Sequence, residues 1–146
     1  MAPEPVALLD VNVLIALAWP QHLHHRRAHE WLGLLAGRRW ATAPFTEAAF
    51  VRLSSTTAVV HTPVTALEAV QVLARIRQVD GHVFLADDTS LADSLIALDR
   101  LASPKQVTDM HLVNLAARHQ ARLVTFDHGI HSYLDAGDRR HVELIA

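Results

Sequence analysis

Short apolar segments that alternate with longer helical patterns most constrain the fold of this chain. Four segments are typical of buried strands and a fifth of an edge strand: 6–9, 40–43, 83–85, 121–127 and 142–145. Between them the spacing predicts helices at 11–17, 24–35, 64–77, 90–98 and 107–119, and Thr46 is the predicted N-cap of another. This alternation predicts a three-layer α/β/α fold, in which helices cover both faces of a central, mainly parallel sheet of about five strands.

Length and composition limit the classes of protein to which this chain can belong. The 146 residues suit one domain and suffice for a buried core. The absence of cysteine excludes disulfides and thiolate metal sites, and it favours a cytoplasmic location. The apolar segment 6–19 is too short to span a membrane and carries a charge, so no membrane partner is expected. The net charge of −2 is unlike that of a general nucleic-acid binder, so any contact with RNA would be local.

Two carboxylates are placed where predicted strands end. Asp10 interrupts the apolar segment 6–19, and a carboxylate in such surroundings is costly unless something binds it. Asp127 ends the fourth predicted strand, although an aspartate two residues before Gly129 is also typical of a turn. Because ligands of parallel sheets bind at the carboxyl ends of the strands, Asp10 and Asp127 are predicted to line such a site.

Two further acids, Glu47 and Asp109, each follow a threonine in the predicted first turn of a helix. Helix capping explains either acid alone. The helix of Glu47 is apolar nearly all round, however, so a buried Glu47 would need a counter-charge. Four acids at one edge of the sheet would repel one another unless divalent cations neutralised them. Mg²⁺ and Mn²⁺ prefer such oxygen ligands, and these cations can promote attack of water on a phosphodiester.

Four stretches of the sequence carry a resemblance to a known family. The segments LLDVNVLIAL, TEAAFVRL, TDMHLVNLAARHQARLVTFD and HGI resemble the PIN-domain ribonucleases and, more narrowly, the VapC toxins of prokaryotic toxin–antitoxin pairs. The resemblance runs nearly end to end and implies a single PIN domain over residues 1–146. It also implies RNA cleavage dependent on Mg²⁺ or Mn²⁺, a homodimer, and inhibition by a cognate VapB-like antitoxin.

The resemblance also implies the site residues. The residues that match the family's catalytic acids are Asp10, Glu47, Asp109 and Asp127, of which Asp10, Asp109 and Asp127 would hold the metal. Asn12 matches a polar residue expected to orient Asp10 or the water of the metal site. Thr125 matches a Ser/Thr expected to donate a hydrogen bond to the acids.

Several alternatives stay open. In the segment HLHHRRAHEW, His25 and His29 are one helical turn apart, but the glutamate of an HExxH zinc motif is missing. We expect His25, Arg26 and Arg52 as candidate RNA contacts, although Arg52 also suits a structural ion pair. A catalytically degenerate PIN-like module that binds RNA or protein is the alternative function. A receiver-like signalling domain fits less well, because Lys105 precedes a helix rather than ending a late strand.

Overall fold

The computed structural model describes residues 4–56, 59–60, 62 and 64–146. Five strands form one sheet: β1 (Ala7–Leu9), β2 (Trp40–Thr42), β3 (His82–Phe84), β4 (Arg122–Thr125) and β5 (Val142–Leu144). Their order across the sheet is β3–β2–β1–β4–β5, and each neighbouring pair is parallel. The predicted α/β fold is confirmed, and the sheet is wholly rather than mainly parallel.

Helices cover both faces of this sheet. They are α1 (Val11–Ala18), α2 (His25–Gly33), α3 (Pro44–Ser54), α4 (Ala66–Ile76) and α5 (Pro104–Arg118). Successive strand residues point to opposite faces. Leu8 of β1 therefore packs in one core with Met110 of α5, whereas Leu9 packs in a second core with Leu14 of α1 and Phe50 of α3. Within the described residues, no helix is both long and apolar enough to cross a membrane.

The strand order places a crevice at the carboxyl end of β1. The chain adds β2 and β3 on one side of β1 and then returns to add β4 and β5 on the other side. Ligands of open α/β sheets bind where the strand order reverses in this way. Leu9 pairs with Val124 at this point, so Asp10 and the segment that follows Thr125 leave the sheet side by side.

Two predicted helix starts are wrong. Helix α3 begins at Pro44 with Ala43 as its N-cap, because proline suits the first helical position. Thr46 instead lies in the first turn and binds both backbone polar groups of Ala43. Helix α5 begins at Pro104 and is capped by Ser103, so Asp109 lies in its second turn and does not cap it.

The predicted helix 90–98 is also wrong, since only the 3₁₀ turn Leu91–Asp93 forms there. The fully buried side chain of Asn114 holds this segment in its irregular form. The Asn114 oxygen accepts from the backbone N–H of Leu95 at 2.8 Å, and its amide donates to the Thr89 hydroxyl at 2.9 Å. These bonds replace the backbone bonds that a helix would have made.

Candidate active site

Asp10 is a buried carboxylate at the start of α1, where it is the N-cap residue. Its Oδ1 accepts a hydrogen bond from the backbone N–H of Val11 at 2.7 Å, and its Oδ2 accepts one from the Thr125 hydroxyl at 2.8 Å. Burial raises the pKa of Asp10 to about 6, against the lowering effect of the Thr125 bond, and the charges of Asp109 and Asp127 raise it further. Ionisation of Asp10 therefore costs free energy in the folded protein, and a bound cation would stabilise the ionised form.

The buried Thr125 hydroxyl connects the groups around Asp10. It donates to Asp10 and accepts from the side-chain amide of Asn12 and from the backbone N–H of Asp127, each at 3.0 Å. The Asn12 oxygen in turn accepts from the backbone N–H of Phe126 at 3.3 Å. Asn12 and Thr125 thus join the first turn of α1 to the segment that leaves β4.

We expect Thr125→Val to destabilise the protein by about 1–3 kcal/mol, because the buried Asp10 and the two other partners of the hydroxyl lose their hydrogen bonds at almost unchanged volume. Urea unfolding of the metal-free protein measures this loss. Thr125→Ser, which keeps the hydroxyl, is the matched control and should recover most of the stability. An unchanged urea midpoint in Thr125→Val would show that the hydroxyl does not hold these segments together.

Asp109 and Asp127 complete a group of three neighbouring carboxylates. Burial raises the pKa of the half-buried Asp109, the hydrogen bond from Tyr133 lowers it, and the charge of Asp127 raises it. The Tyr133 hydroxyl donates to Asp109 Oδ2 at 2.7 Å, and burial followed by the Asp109 interaction raises the pKa of Tyr133. Asp127 is exposed, and its Oδ1 accepts from the backbone N–H of Gly129 at 3.0 Å, so it also caps the turn.

The chemistry of these three side chains fits a hard divalent cation. All their ligand atoms are oxygens, and their charges act on one another in the crevice. In the part of the chain that the structure describes, no three carboxylate or imidazole groups enclose a metal position by themselves. Mg²⁺ is usually bound through one or two carboxylates together with waters and substrate phosphates, so an open site of this kind suits it. Asp10, Asp109 and Asp127 are the residues that would hold the cation.

Glu47 lies at the same edge of the sheet but is turned towards β2 and β3. Its Oε2 accepts from the Thr42 hydroxyl at 2.6 Å and lies 3.6 Å from Nε of Arg77. Arg77 is thus the counter-charge that a mostly buried glutamate requires. The charges that raise the pKa values of Asp10 and Asp109 come from the three aspartates rather than from Glu47. The structure therefore brings three of the four predicted acids together, and Glu47 lies outside this group, paired with Arg77.

The histidines of α2 contact the C-terminal end of α1. Nδ1 of His25 lies 2.7 Å from the carbonyl oxygen of Ala16, and Nε2 of His29 lies 2.9 Å from that of Leu17. These carbonyls belong to the last turn of α1, where backbone acceptors need partners from outside the helix. His25 and His29 therefore cap α1, which accounts for their spacing without zinc.

The basic residues predicted to contact RNA differ in their surroundings. The Arg26 side chain is 90% exposed and lies 3.8 Å from Glu30, and Arg52 is exposed on α3. A further basic and aromatic group includes Phe126, which precedes Asp127 in the chain and which the sequence did not indicate. There the ring of Phe126 stacks on His24 at 4.7 Å between centroids, and the guanidinium carbon of Arg27 lies 5.4 Å from the Phe126 ring centroid.

Comparisons with known proteins give one family. The family model described as "PIN domain" matches residues 7–134. Ribonuclease VapC38 of Mycobacterium tuberculosis is 46% identical over 140 residues, which cover 96% of this chain and 98% of the relative. Ribonuclease VapC39 of the same organism is 45% identical over 132 residues, covering 90% of this chain and 95% of the relative.

A solved structure supports the same fold. VapBC2 from Rickettsia felis, bound to a DNA fragment from its promoter, superposes with a TM-score of 0.62 at 14% sequence identity. The match covers 88% of this chain and 92% of that chain. The family model and the VapC relatives confirm the resemblance seen in the sequence: the chain belongs to the PIN-domain family and, within it, to the VapC ribonucleases.

Proposed function

We propose that this protein is a divalent-metal-dependent endoribonuclease that acts as the toxin of a type II toxin–antitoxin pair. The observation that carries the proposal is the buried Asp10, whose pKa is raised to about 6 beside Asp109 and Asp127 in the crevice of the sheet. Strongly perturbed carboxylates in a crevice are typical of functional sites. The close VapC ribonuclease relatives support RNA as the substrate.

The reaction is hydrolysis of an RNA phosphodiester bond. Water attacks phosphorus, the bond from phosphorus to the 3′ oxygen breaks, and the products carry a 5′ phosphate and a 3′ hydroxyl. When bound, Mg²⁺ or Mn²⁺ supplies positive charge for the phosphate and lowers the pKa of water. Asp10, Asp109 and Asp127 would hold that cation, whereas Thr125 and Asn12 fix the orientation of Asp10. Glu47 would position the cation or its water.

RNA would contact the protein beside the carboxylates. Phe126 precedes Asp127 in the chain, and the guanidinium carbon of Arg27 lies 5.4 Å from its ring centroid, which combines a cation with an aromatic ring. Such pairs bind single-stranded RNA by phosphate contact and base stacking. Arg26 and Arg52 are exposed and remain candidate phosphate contacts.

The proposed partner is a VapB-like antitoxin, and the proposed state of the toxin is a cytoplasmic homodimer. An arginine fork can bridge two carboxylates, so a basic segment of the antitoxin would be attracted to Asp10 and Asp127. Occupation of these carboxylates by arginine would block both metal binding and RNA binding. The VapBC2 complex from Rickettsia felis shares this fold and supports a partner of this type.

Sequencing of RNA ends after brief induction tests the proposed function. We expect new 5′-phosphate ends at a small set of positions in cells that express the wild-type chain. Cells that express Asp109→Asn at the same level, as the control, should lack them. The same ends in both strains, or none in either, would contradict RNA cleavage by this site and would favour the binding module without activity.

A further inference from the structure

The carboxylate of Glu47 is held by one oxygen. Its Oε2 accepts from the Thr42 hydroxyl at 2.6 Å, and Arg77 lies 3.6 Å from the same oxygen. Across the described residues, Oε1 makes no hydrogen bond. The Glu47 side chain is only 14% exposed, so a single rotamer is favoured by packing and by the Thr42 bond together. Oε2 of Glu47 is thus fixed, and Oε1 remains available to bind another group.

The Thr42 hydroxyl is itself directed by a histidine. A threonine hydroxyl has one hydrogen, and the carboxylate of Glu47 takes it because a carboxylate only accepts. Nε2 of His82 lies 2.8 Å from the same Thr42 oxygen, so this nitrogen carries a hydrogen and donates. The bonds run in one direction, from His82 Nε2–H to Thr42 and from Thr42 to Glu47.

The paired strands β2 and β3 hold Thr42 and His82 in place. Thr42 is fully buried at the carboxyl end of β2. His82 stands directly opposite Trp40 in the β2–β3 register, and the two rings meet edge to face with centroids 4.8 Å apart. The Trp40 indole N–H is bound in turn to the carbonyl oxygen of Asp80 at 3.0 Å. The imidazole is therefore oriented by paired strands and not by mobile loops.

We propose that Thr42 and His82 are positioning residues that orient the carboxylate of Glu47 for RNA cleavage. Neither residue is among those implied by the family resemblance. The inference rests on the proposed function, because it assigns to Glu47 a role in the reaction. In this arrangement the bond from Thr42 fixes Oε2 and leaves Oε1 as the oxygen that would act in the reaction. Loss of the Thr42 hydroxyl would let the side chain turn fully to Arg77.

Steady-state cleavage of a single-stranded RNA oligonucleotide tests this inference. The oligonucleotide carries a site found in the RNA-end experiment, and the cation is Mg²⁺. We expect Thr42→Val to lower kcat by about 10- to 100-fold, the usual range for residues that orient a functional group. KM should stay unchanged, and Thr42→Ser should restore most of kcat. His82→Gln, whose amide can donate in place of Nε2–H, should keep more activity than His82→Leu.

A double-variant cycle separates positioning of Glu47 from a general effect on folding. In a Glu47→Gln background, Thr42→Val should cause no further loss of kcat, because residues that act as a unit are not additive. Ser54→Ala is the matched control, since it removes a buried hydroxyl at the far end of α3 that binds Trp19. It should lower the melting temperature without changing kcat.

The outcomes distinguish this inference from the proposed function. If the wild-type protein cleaves RNA and Thr42→Val has the same kcat, only this inference is overturned. An equal fold loss of kcat from Thr42→Val in the wild-type background and in the Glu47→Gln background would also overturn it. If Thr42→Val does not fold, an equal kcat in His82→Gln and His82→Leu would overturn it instead. A wild-type protein that cleaves no RNA would overturn the proposed function and this inference together.

Discussion

Asp109→Asn is expected to change RNA cleavage and thermal stability in opposite directions. The rate of cleavage should fall by more than about a hundredfold. This loss exceeds the roughly 10- to 100-fold effect that is usual for substitutions that act through another residue. The loss follows because an uncharged amide binds hard cations poorly. At the same time, the melting temperature of the metal-free protein at neutral pH should rise.

The rise in stability follows from the charge of Asp109. Burial and the neighbouring Asp127 raise its pKa, so the folded state disfavours the ionised form. A group whose pKa is raised in the folded state costs stability once the pH exceeds its pKa in the unfolded chain. The amide removes this cost, and its oxygen can still accept the hydrogen bond from Tyr133. Differential scanning fluorimetry in EDTA measures the effect.

Asp88→Asn is the control for a loss of one acidic charge. Asp88 Oδ1 lies 2.9 Å from Nε2 of His119, and Oδ2 lies 3.7 Å from Nε of Arg118, so its charge interacts with groups that attract it. This variant should keep full cleavage activity without any rise in melting temperature. A lower melting temperature in Asp109→Asn, or retained cleavage, would show that Asp109 is a structural residue.

The sheet and the strand-end carboxylates could be predicted from the sequence because they depend on local patterns. Apolar segments with turn signals fixed the strands to within two residues, and Asp10 and Asp127 follow directly from them. Parallel strands end at a common edge, so the convergence of these two acids needs no knowledge of individual side chains.

The remaining parts of the site depend on contacts between distant segments, which no local pattern encodes. Tyr133 reaches Asp109 from a 3₁₀ turn whose sequence has no periodic apolar pattern. The Glu47–Arg77 ion pair joins the beginning of α3 to the C-terminal end of α4, thirty residues away in the chain. Asn114 overrides the helical pattern of 90–98 because its buried amide satisfies that segment's backbone groups. In the sequence, Asn114 is simply one of several polar residues in the predicted helix 107–119.

Cleavage is expected to require a divalent cation, and the stabilising effect of that cation should increase with pH. In the folded protein the pKa of Asp10 is raised from 3.8 to about 6. In the absence of metal, this residue therefore favours folding below about pH 4, and its contribution is lost as the pH rises to about 6. A cation binds only the ionised carboxylate, so proton and metal compete. Added Mn²⁺ should raise the melting temperature strongly at pH 7.5 and only weakly at pH 5.

The control for this pH dependence is the Asp10→Asn variant, which cannot ionise at that position. Its melting temperature should respond less to Mn²⁺ at pH 7.5. An equal response in the variant and the wild type would place the cation elsewhere on the protein.

The most direct measurement is cleavage of an RNA oligonucleotide by the purified protein in EDTA, followed by addition of excess Mg²⁺ or Mn²⁺ to the same sample at pH 7.5. We expect no cleavage in EDTA, full recovery on addition of either cation, and no recovery in Asp109→Asn. Cleavage that proceeds undiminished in EDTA would show that Asp10, Asp109 and Asp127 do not act by holding a metal ion.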